Sequence, residues 1–258
     1  MRVVSRVGRA INAILKILGL RISRADRPQW NLPHWSHEGS PEMLHSVVKV
    51  RATYSPWLSD REFVDVFKAI SKFTLVDIFR CYELWDLAKQ ARHVEGAILE
   101  VGVWRGGTGC LLAKAAPDKT VYLADTFEGV VKAGENDTAY SGGEHANTSE
   151  ALVRKLLAAT GADNARILKG IFPDDTAARV TDERIALLHV DVDVYQSAKD
   201  VVMWALPRLS PGAAIVFDDY GFYGCEGVTR LVQELRDSHH AFSFVHNLNG
   251  HALLLKTA

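Results

Sequence analysis

Cysteine is scarce in this chain. Cys81, Cys110 and Cys225 are an odd set, widely spaced in 258 residues. They give no disulfide framework and no short-spaced zinc pattern, which points to a reducing cytoplasm. No apolar run approaches the length of a membrane span. Charge of one sign is also missing: 24% of the residues are charged, yet the net charge is -1. A global pull toward nucleic acid is thereby excluded. The dinucleotide fingerprint Gly-x-Gly-x-x-Gly is absent, which disfavours a nicotinamide dehydrogenase. There is no internal repeat. The length fits one α/β domain with decoration and suffices to bury a full core.

The first 27 residues depart from this balance. Arg2, Arg6, Arg9, Lys16, Arg21, Arg24 and Arg27 face a single acid, Asp26, and apolar residues from Val3 to Leu18 recur at helical spacing. Together they make a basic amphipathic helix. Lys16 and Gly19 interrupt the apolar region and no small-residue cleavage site follows, so a signal peptide is not expected. Three readings stay open: a helix packed on a partner or its own domain, a helix on the inner membrane surface through residues 1–24, or a targeting or disordered tail. Residues 28–95 read as a connector and helical cap. Their first half is rich in Pro, Trp, His and Ser, and Ser59-Asp-Arg-Glu62 is a capping-box pattern opening a helix. A second helix is expected over 75–92, with Ile78, Phe79, Tyr82 and Trp85 on one face.

From residue 96 strands and helices alternate. Strands are expected at 97–101, 120–125, 166–169, 185–190 and 213–217, with helices at 108–116, 149–160, 196–207 and 226–238. Near the end, 242–246 and 252–256 flank Asn249-Gly250, a hairpin signal. The fold class is α/β: a doubly wound, mostly parallel sheet with an antiparallel C-terminal hairpin and an N-terminal helical extension.

Two acidic groups carry the chemistry. His189-Val-Asp191-Val-Asp193-Val-Tyr195 follows one apolar run, and Phe217-Asp218-Asp219-Tyr220-Gly221 follows another. If both runs are buried parallel strands, three carboxylates emerge where neighbouring strands end. Carboxylates crowded in this way repel one another unless a cation sits between them, and oxygen ligands suit a hard divalent metal.

The first strand ends in Glu100-Val-Gly102-Val-Trp-Arg-Gly-Gly107-Thr108, an acid followed by a glycine-rich turn into a helix. An acid two residues before the first glycine favours a cofactor bearing an amino or sulfonium group, the pattern of S-adenosylmethionine enzymes. The second strand ends in Asp125-Thr126-Phe127, where an acid would accept the ribose hydroxyls. The bland alternative is that Glu100 and Asp125 cap their turns. Gly170 and Phe172, after the third strand, are placed to wall the adenine.

With these pieces in order the chain resembles the macrocin O-methyltransferase family from roughly Leu75 to the C-terminus. The resemblance rests on Glu100-Val-Gly-Val-Trp-Arg-Gly-Gly107, Ala124-Asp-Thr-Phe-Glu-Gly129, Lys169-Gly-Ile-Phe172, His189-Val-Asp-Val-Asp-Val-Tyr-Gln-Ser197, and Leu209-Ser-Pro-Gly212 followed by Phe217-Asp-Asp-Tyr-Gly221. It implies a class I, Rossmann-like methyltransferase that moves a methyl group from S-adenosyl-L-methionine to a sugar hydroxyl. It also implies Mg2+ on Asp191, Asp218 and Asp219, with Asp191 as general base. The cofactor residues would be Glu100, Gly102, Thr108, Asp125, Thr126, Phe127, Gly170 and Phe172. Val192 departs from the glycine common in antibiotic-tailoring members, and the basic N-terminal helix is a second departure.

Other residues carry expectations of their own. His189 reads first as a buried structural histidine and second as a partner of the metal ligands or an alternative base. Asp193 is expected to cap the following helix. Tyr220, Phe222 and Tyr223 either stack on a sugar or pack, and the segment 140–145 is either an acceptor lid or a plain loop. The acceptor would be a sugar-containing small molecule or glycan, with a catechol-like phenol as the alternative and a non-catalytic cofactor-binding scaffold as the rival from another class. Bringing three acids together argues against the scaffold. The oligomeric state, including a homo-oligomer, stays open.

Overall fold

In the computed structural model the described residues are Leu15, 53–182, 184–238 and 241–257. The chain divides into two units, Met1–His34 and Trp35–Ala258, and the sheet with its covering helices belongs to the second. The basic helix expected over 1–27, Leu15 apart, and the connector before residue 53 lie outside the described residues. Among the described residues no helix is long and apolar enough to cross a membrane.

Apolar runs form the strands of one sheet: β1 (Ala97–Val101), β2 (Val121–Asp125), β3 (Ala165–Lys169), β4 (Ile185–Val190), β5 (Leu209–Phe217), β6 (Phe242–His246) and β7 (Ala252–Lys256). Their order is β3-β2-β1-β4-β5-β7-β6, with β1 to β5 parallel and β7 antiparallel to both β5 and β6. The chain runs outward from β1 to β3, then returns to place β4 on the other side of β1. Such a reversal opens a crevice at the carboxyl ends of the two central strands.

Helices cover both faces: α1 (Arg61–Ile70), α2 (Ile78–Ala91), α3 (Gly107–Ala115), α4 (Glu150–Thr160), α5 (Tyr195–Ala205) and α6 (Glu226–Ser238). Alternation along β1 divides the core, because successive side chains point to opposite faces. Ile98 packs with residues of α1 to α4, whereas Leu99 and Val101 pack with those of α5 and α6. The helices before β1 thus share their hydrophobic core with the sheet.

The structure corrects three local expectations. The N-cap of α1 is Asp60, not Ser59: Asp60 Oδ1 accepts the Phe63 N–H at 3.0 Å, while Ser59 closes the preceding 3-10 turn. A carboxylate outcompetes the hydroxyl because its second oxygen also accepts from the Trp85 indole at 3.0 Å. Second, α2 starts at Ile78, capped by Asp77, and buries Cys81, Leu84, Trp85, Ala88 and Ala91, leaving Phe79 52% exposed. The stripe at spacings of three and four wins the sheet, and Trp57 and Phe63 meet the neighbouring aromatic face instead. Third, β5 begins at Leu209. The ladder passes from the Ile185–Leu209 pair to the Leu187–Ala214 pair, and the exposed Pro211, which has no N–H to donate, sits in that irregularity.

Asp60 offers a test of this packing. Asp60→Ala removes a helix cap and the partner of a buried indole, and is expected to cost about 1–2 kcal/mol in urea unfolding. Burial would raise the Asp60 carboxyl, but the Phe63 N–H, the Trp85 indole and Lys89 together hold it below its ordinary value. Its stabilisation is therefore complete above the unfolded pKa and lost as pH falls through the folded one, so the gap to wild type should close in acid.

Candidate active site

The β-ladders that end the central strands extend one step further and set the acids side by side. Asp191 N donates to Val101 O at 2.9 Å, and Asp218 N donates to Val190 O at 3.0 Å. Asp191 thus follows β4 and lies beside Gly102, and Asp218 follows β5 and lies beside Asp191. Gly102 has a φ of +92°, and a Cβ there would overlap the carbonyl oxygen of Asp191. Only glycine lets the two strand ends approach so closely.

Asp125, at the end of β2, organises the turn after β1. Its Oδ2 accepts the N–H groups of Val103 and Trp104, both at 2.7 Å, and its Oδ1 accepts the N–H of Phe127 at 2.6 Å. Those contacts are the capping role weighed for it, and they leave one lone pair, on Oδ1, for a further donor.

A cavity of about 320 Å³ opens over these ends. It is lined by six of the expected cofactor residues, Gly102, Thr108, Asp125, Thr126, Gly170 and Phe172, and by Asp191, Asp218 and Asp219. Two expected residues do not line it. Glu100 is fully buried on the α2–α3 side, with Oε1 2.9 Å from His189 Nδ1 and Oε2 without a partner among the described residues. Phe127 is buried, and its backbone N–H is taken by Asp125 Oδ1.

One carboxylate oxygen from each of Asp191, Asp218 and Asp219 lies within 4.8 Å of the others. The three are not electrostatically alike. Burial, and then the charge of Asp218, drives Asp191 well above the usual carboxylate range. Asp219 rises likewise through burial and the charges of Asp193 and Asp218. Asp218 is the exception: burial would raise it, but His189, His251 and Arg80 hold it below its ordinary value. Asp191 and Asp219 thus lack sufficient positive charge nearby, and all three present oxygen. This donor set fits a hard divalent cation.

Around this group stand residues with mixed outcomes. His189 is fully buried, and although burial lowers its pKa, Asp218 and Glu100 bring it up to about 10. It therefore links the acid behind the cofactor turn to one of the three clustered acids. Asp193 does not cap α5. Its φ is +65°, Val194 occupies the N-cap position, and the Tyr195 N–H is taken by Asp137 from the loop after β2. A backbone turned left-handed at Asp193 carries its carboxylate away from the helix start, to accept the Tyr140 hydroxyl at 2.6 Å. Tyr140 and His145 line the cavity, and Glu144 folds their segment by accepting the N–H groups of Ser141 and Gly142, both at 2.9 Å. Phe222 and Tyr223 line the mouth, whereas Tyr220 packs edge-on against Phe244 and His246.

Two residues at the centre were not expected from the sequence. Arg80 of α2 pairs with Asp218 Oδ2, and His251 at the start of β7 lies 2.8 Å from Asp218 Oδ1. The signal for His251 is the pairing of Phe217 with Ala252, which puts Asp218 and His251 next in register. Arg80 carried a weaker signal, a charge on the buried stripe of α2.

Comparison with known proteins adds to this geometry. The family model described as Macrocin-O-methyltransferase (TylF) matches residues 69–256. The chain is 37% identical to the mycinamicin III 3''-O-methyltransferase of Micromonospora griseorubida over 184 residues, 64% of this chain and 71% of that one. It is 30% identical over 149 residues to the 8-demethyl-8-(2,3-dimethoxy-alpha-L-rhamnosyl)-tetracenomycin-C 4'-O-methyltransferase of Streptomyces olivaceus, 52% of this chain and 57% of that one. Among solved structures, the O-methyltransferase NovP superposes with a TM-score of 0.63 at 26% identity, over 72% of this chain and 83% of that one.

Proposed function

Because the chain belongs to the macrocin-O-methyltransferase family, and is thereby an S-adenosylmethionine-dependent O-methyltransferase, we propose a sugar hydroxyl of a natural-product glycoside as its acceptor. The observation that carries this reading is the meeting of Asp191, Asp218 and Asp219 in the wall of a cavity whose other wall is the turn held by Asp125. One side suits the donor, the other a hydroxyl that must be activated.

A sugar hydroxyl is a poor nucleophile at neutral pH because its proton is tightly held. A divalent cation on Asp191, Asp218 and Asp219, for which we take Mg2+, would supply Lewis-acid stabilisation of the developing oxyanion and orient the acceptor. Asp191, set beside the donor turn by its backbone bond to Val101, would take the hydroxyl proton. Gly102, Thr108, Asp125, Thr126, Gly170 and Phe172 would hold the donor so that its methyl group lies in line with the acceptor oxygen. Glu100 and Phe127 support that surface from behind. Tyr140 and His145 close over the acceptor side and exclude water. The tetracenomycin relative is named for a rhamnosyl-bearing acceptor, which favours the sugar over a catechol.

The test is transfer of labelled methyl groups to a panel of glycosides and catechols. Chelation is expected to lower transfer at least about 100-fold, with Mg2+ restoring it and S-adenosylmethionine binding persisting. Transfer indifferent to chelator would remove the metal from this reading. Methylation confined to catechols would remove the sugar.

A further inference from the structure

We propose that His251, clamped by Glu83, is the positioning residue that presents Asp218 to the divalent cation, which makes the C-terminal hairpin part of the metal site. This role rests on the proposed cation held by Asp191, Asp218 and Asp219. His251 is fully buried and each ring nitrogen meets a carboxylate: Nδ1 lies 2.7 Å from Glu83 Oε2 and Nε2 lies 2.8 Å from Asp218 Oδ1. The ring therefore stands fixed between two carboxyl groups, one at each nitrogen.

Glu83 is itself held from the hairpin. The side-chain amide of Asn249 donates to Oε2 at 3.2 Å, and that of Asn247 donates to Oε1. Asn249 Oδ1 also accepts the backbone N–H of His251 at 3.0 Å. The hairpin turn, α2 and the end of β5 are thereby joined through one imidazole. On its far side Asp218 has Oδ2 paired with Arg80, whose guanidinium also reaches the Asp218 carbonyl at 3.3 Å. Held at both oxygens, the carboxylate cannot turn about its own axis, yet each oxygen keeps acceptor capacity for an ion.

His189 does not serve in the same way. It is committed to Glu100 at 2.9 Å, and its Nε2 stands 3.6 Å from Asp218 Oδ1, beyond a hydrogen bond. Of His189 and His251, only His251 fixes Asp218 by a hydrogen bond. Without it Asp218 keeps Arg80 on Oδ2 but loses the hydrogen bond that fixes Oδ1. Partners that orient a ligating carboxylate typically account for about 10–100-fold in metal affinity.

The experiment is Mn2+ titration followed by electron paramagnetic resonance on the full-length protein, its His251→Ala variant and its Glu83→Gln variant. S-adenosylmethionine affinity and metal-free melting are measured alongside. His251→Ala is expected to bind Mn2+ about 10–100-fold more weakly, and Glu83→Gln several-fold more weakly. Cofactor affinity should stay within about two-fold of wild type, since neither residue lines the donor side. Equal Mn2+ affinity in wild type and His251→Ala overturns the inference, as do losses of melting temperature and cofactor affinity that run parallel to the Mn2+ loss. If His251→Ala fails to fold, Glu83→Gln carries the same comparison, because the Glu83 side chain is 19% exposed and the substitution preserves its shape. A wild-type protein that takes up no Mn2+ instead overturns the metal reading itself.

Discussion

Asp191→Asn is expected to slow methyl transfer by about 10²–10⁴-fold, the usual contribution of a positioned general base. Asparagine has the shape of aspartate but neither accepts a proton at neutral pH nor offers an anionic ligand. The backbone at this position is fixed independently of the side chain, by the Asp191 N–H on Val101 O. The variant should therefore fold, and S-adenosylmethionine affinity measured by calorimetry should stay within about two-fold. Near-normal turnover would show that another group takes the proton, and Asp193, beside Asp219 and tied to Tyr140, would be the first to test. Mn2+ binding by the same variant separates the two roles given to Asp191. Turnover lost with Mn2+ retained isolates the base, whereas loss of both assigns the residue to the ion as well.

The second large effect is expected on the donor side. Asp125→Ala should weaken S-adenosylmethionine binding by roughly 100-fold, the equivalent of one charged hydrogen bond of about 1.5–3 kcal/mol, because the turn lining the donor side loses the acceptor of three backbone N–H groups. The turn from Gly102 to Trp104 would no longer be held against the end of β2. Asp125→Asn keeps one carbonyl oxygen, so it should satisfy one side of the turn and fall between wild type and alanine. If both variants bind the donor normally, Asp125 does not hold the donor.

Much of this architecture was legible in the chain because its strands are short apolar runs punctuated by acids and glycines. β1, β4, α6 and the hairpin strands have the expected bounds, and the expected convergence of Asp191, Asp218 and Asp219 follows from β4 and β5 being neighbours. What escaped depended on contacts that no local pattern records. Arg80 reaches Asp218 across 138 positions, and His251 is placed by an antiparallel pairing that the hairpin signal does not specify. The burial of Glu100 followed the same logic. Its place at a strand end suggested a residue facing the ligand, but alternation along β1 turns it to the Ile98 side, beneath α3, where it meets His189. Asp193 failed for a backbone reason, since a left-handed residue before α5 handed the cap to Asp137.

The contact of Gly102 with the Asp191 carbonyl bears on how this enzyme can diversify. On the proposed assignment, donor and acceptor sides share a party wall one backbone thick there, so a change that nudges either strand end should disturb both substrates at once. Tyr140 and His145 in the segment after β2, together with Phe222 and Tyr223 at the mouth, border the cavity from loops beyond the strand ends. Alterations there change the shape offered to an incoming glycoside while the strand ends stay put. New acceptor preferences are therefore expected to arise by substitution in those loops, with Gly102 and Asp191 held constant beneath them.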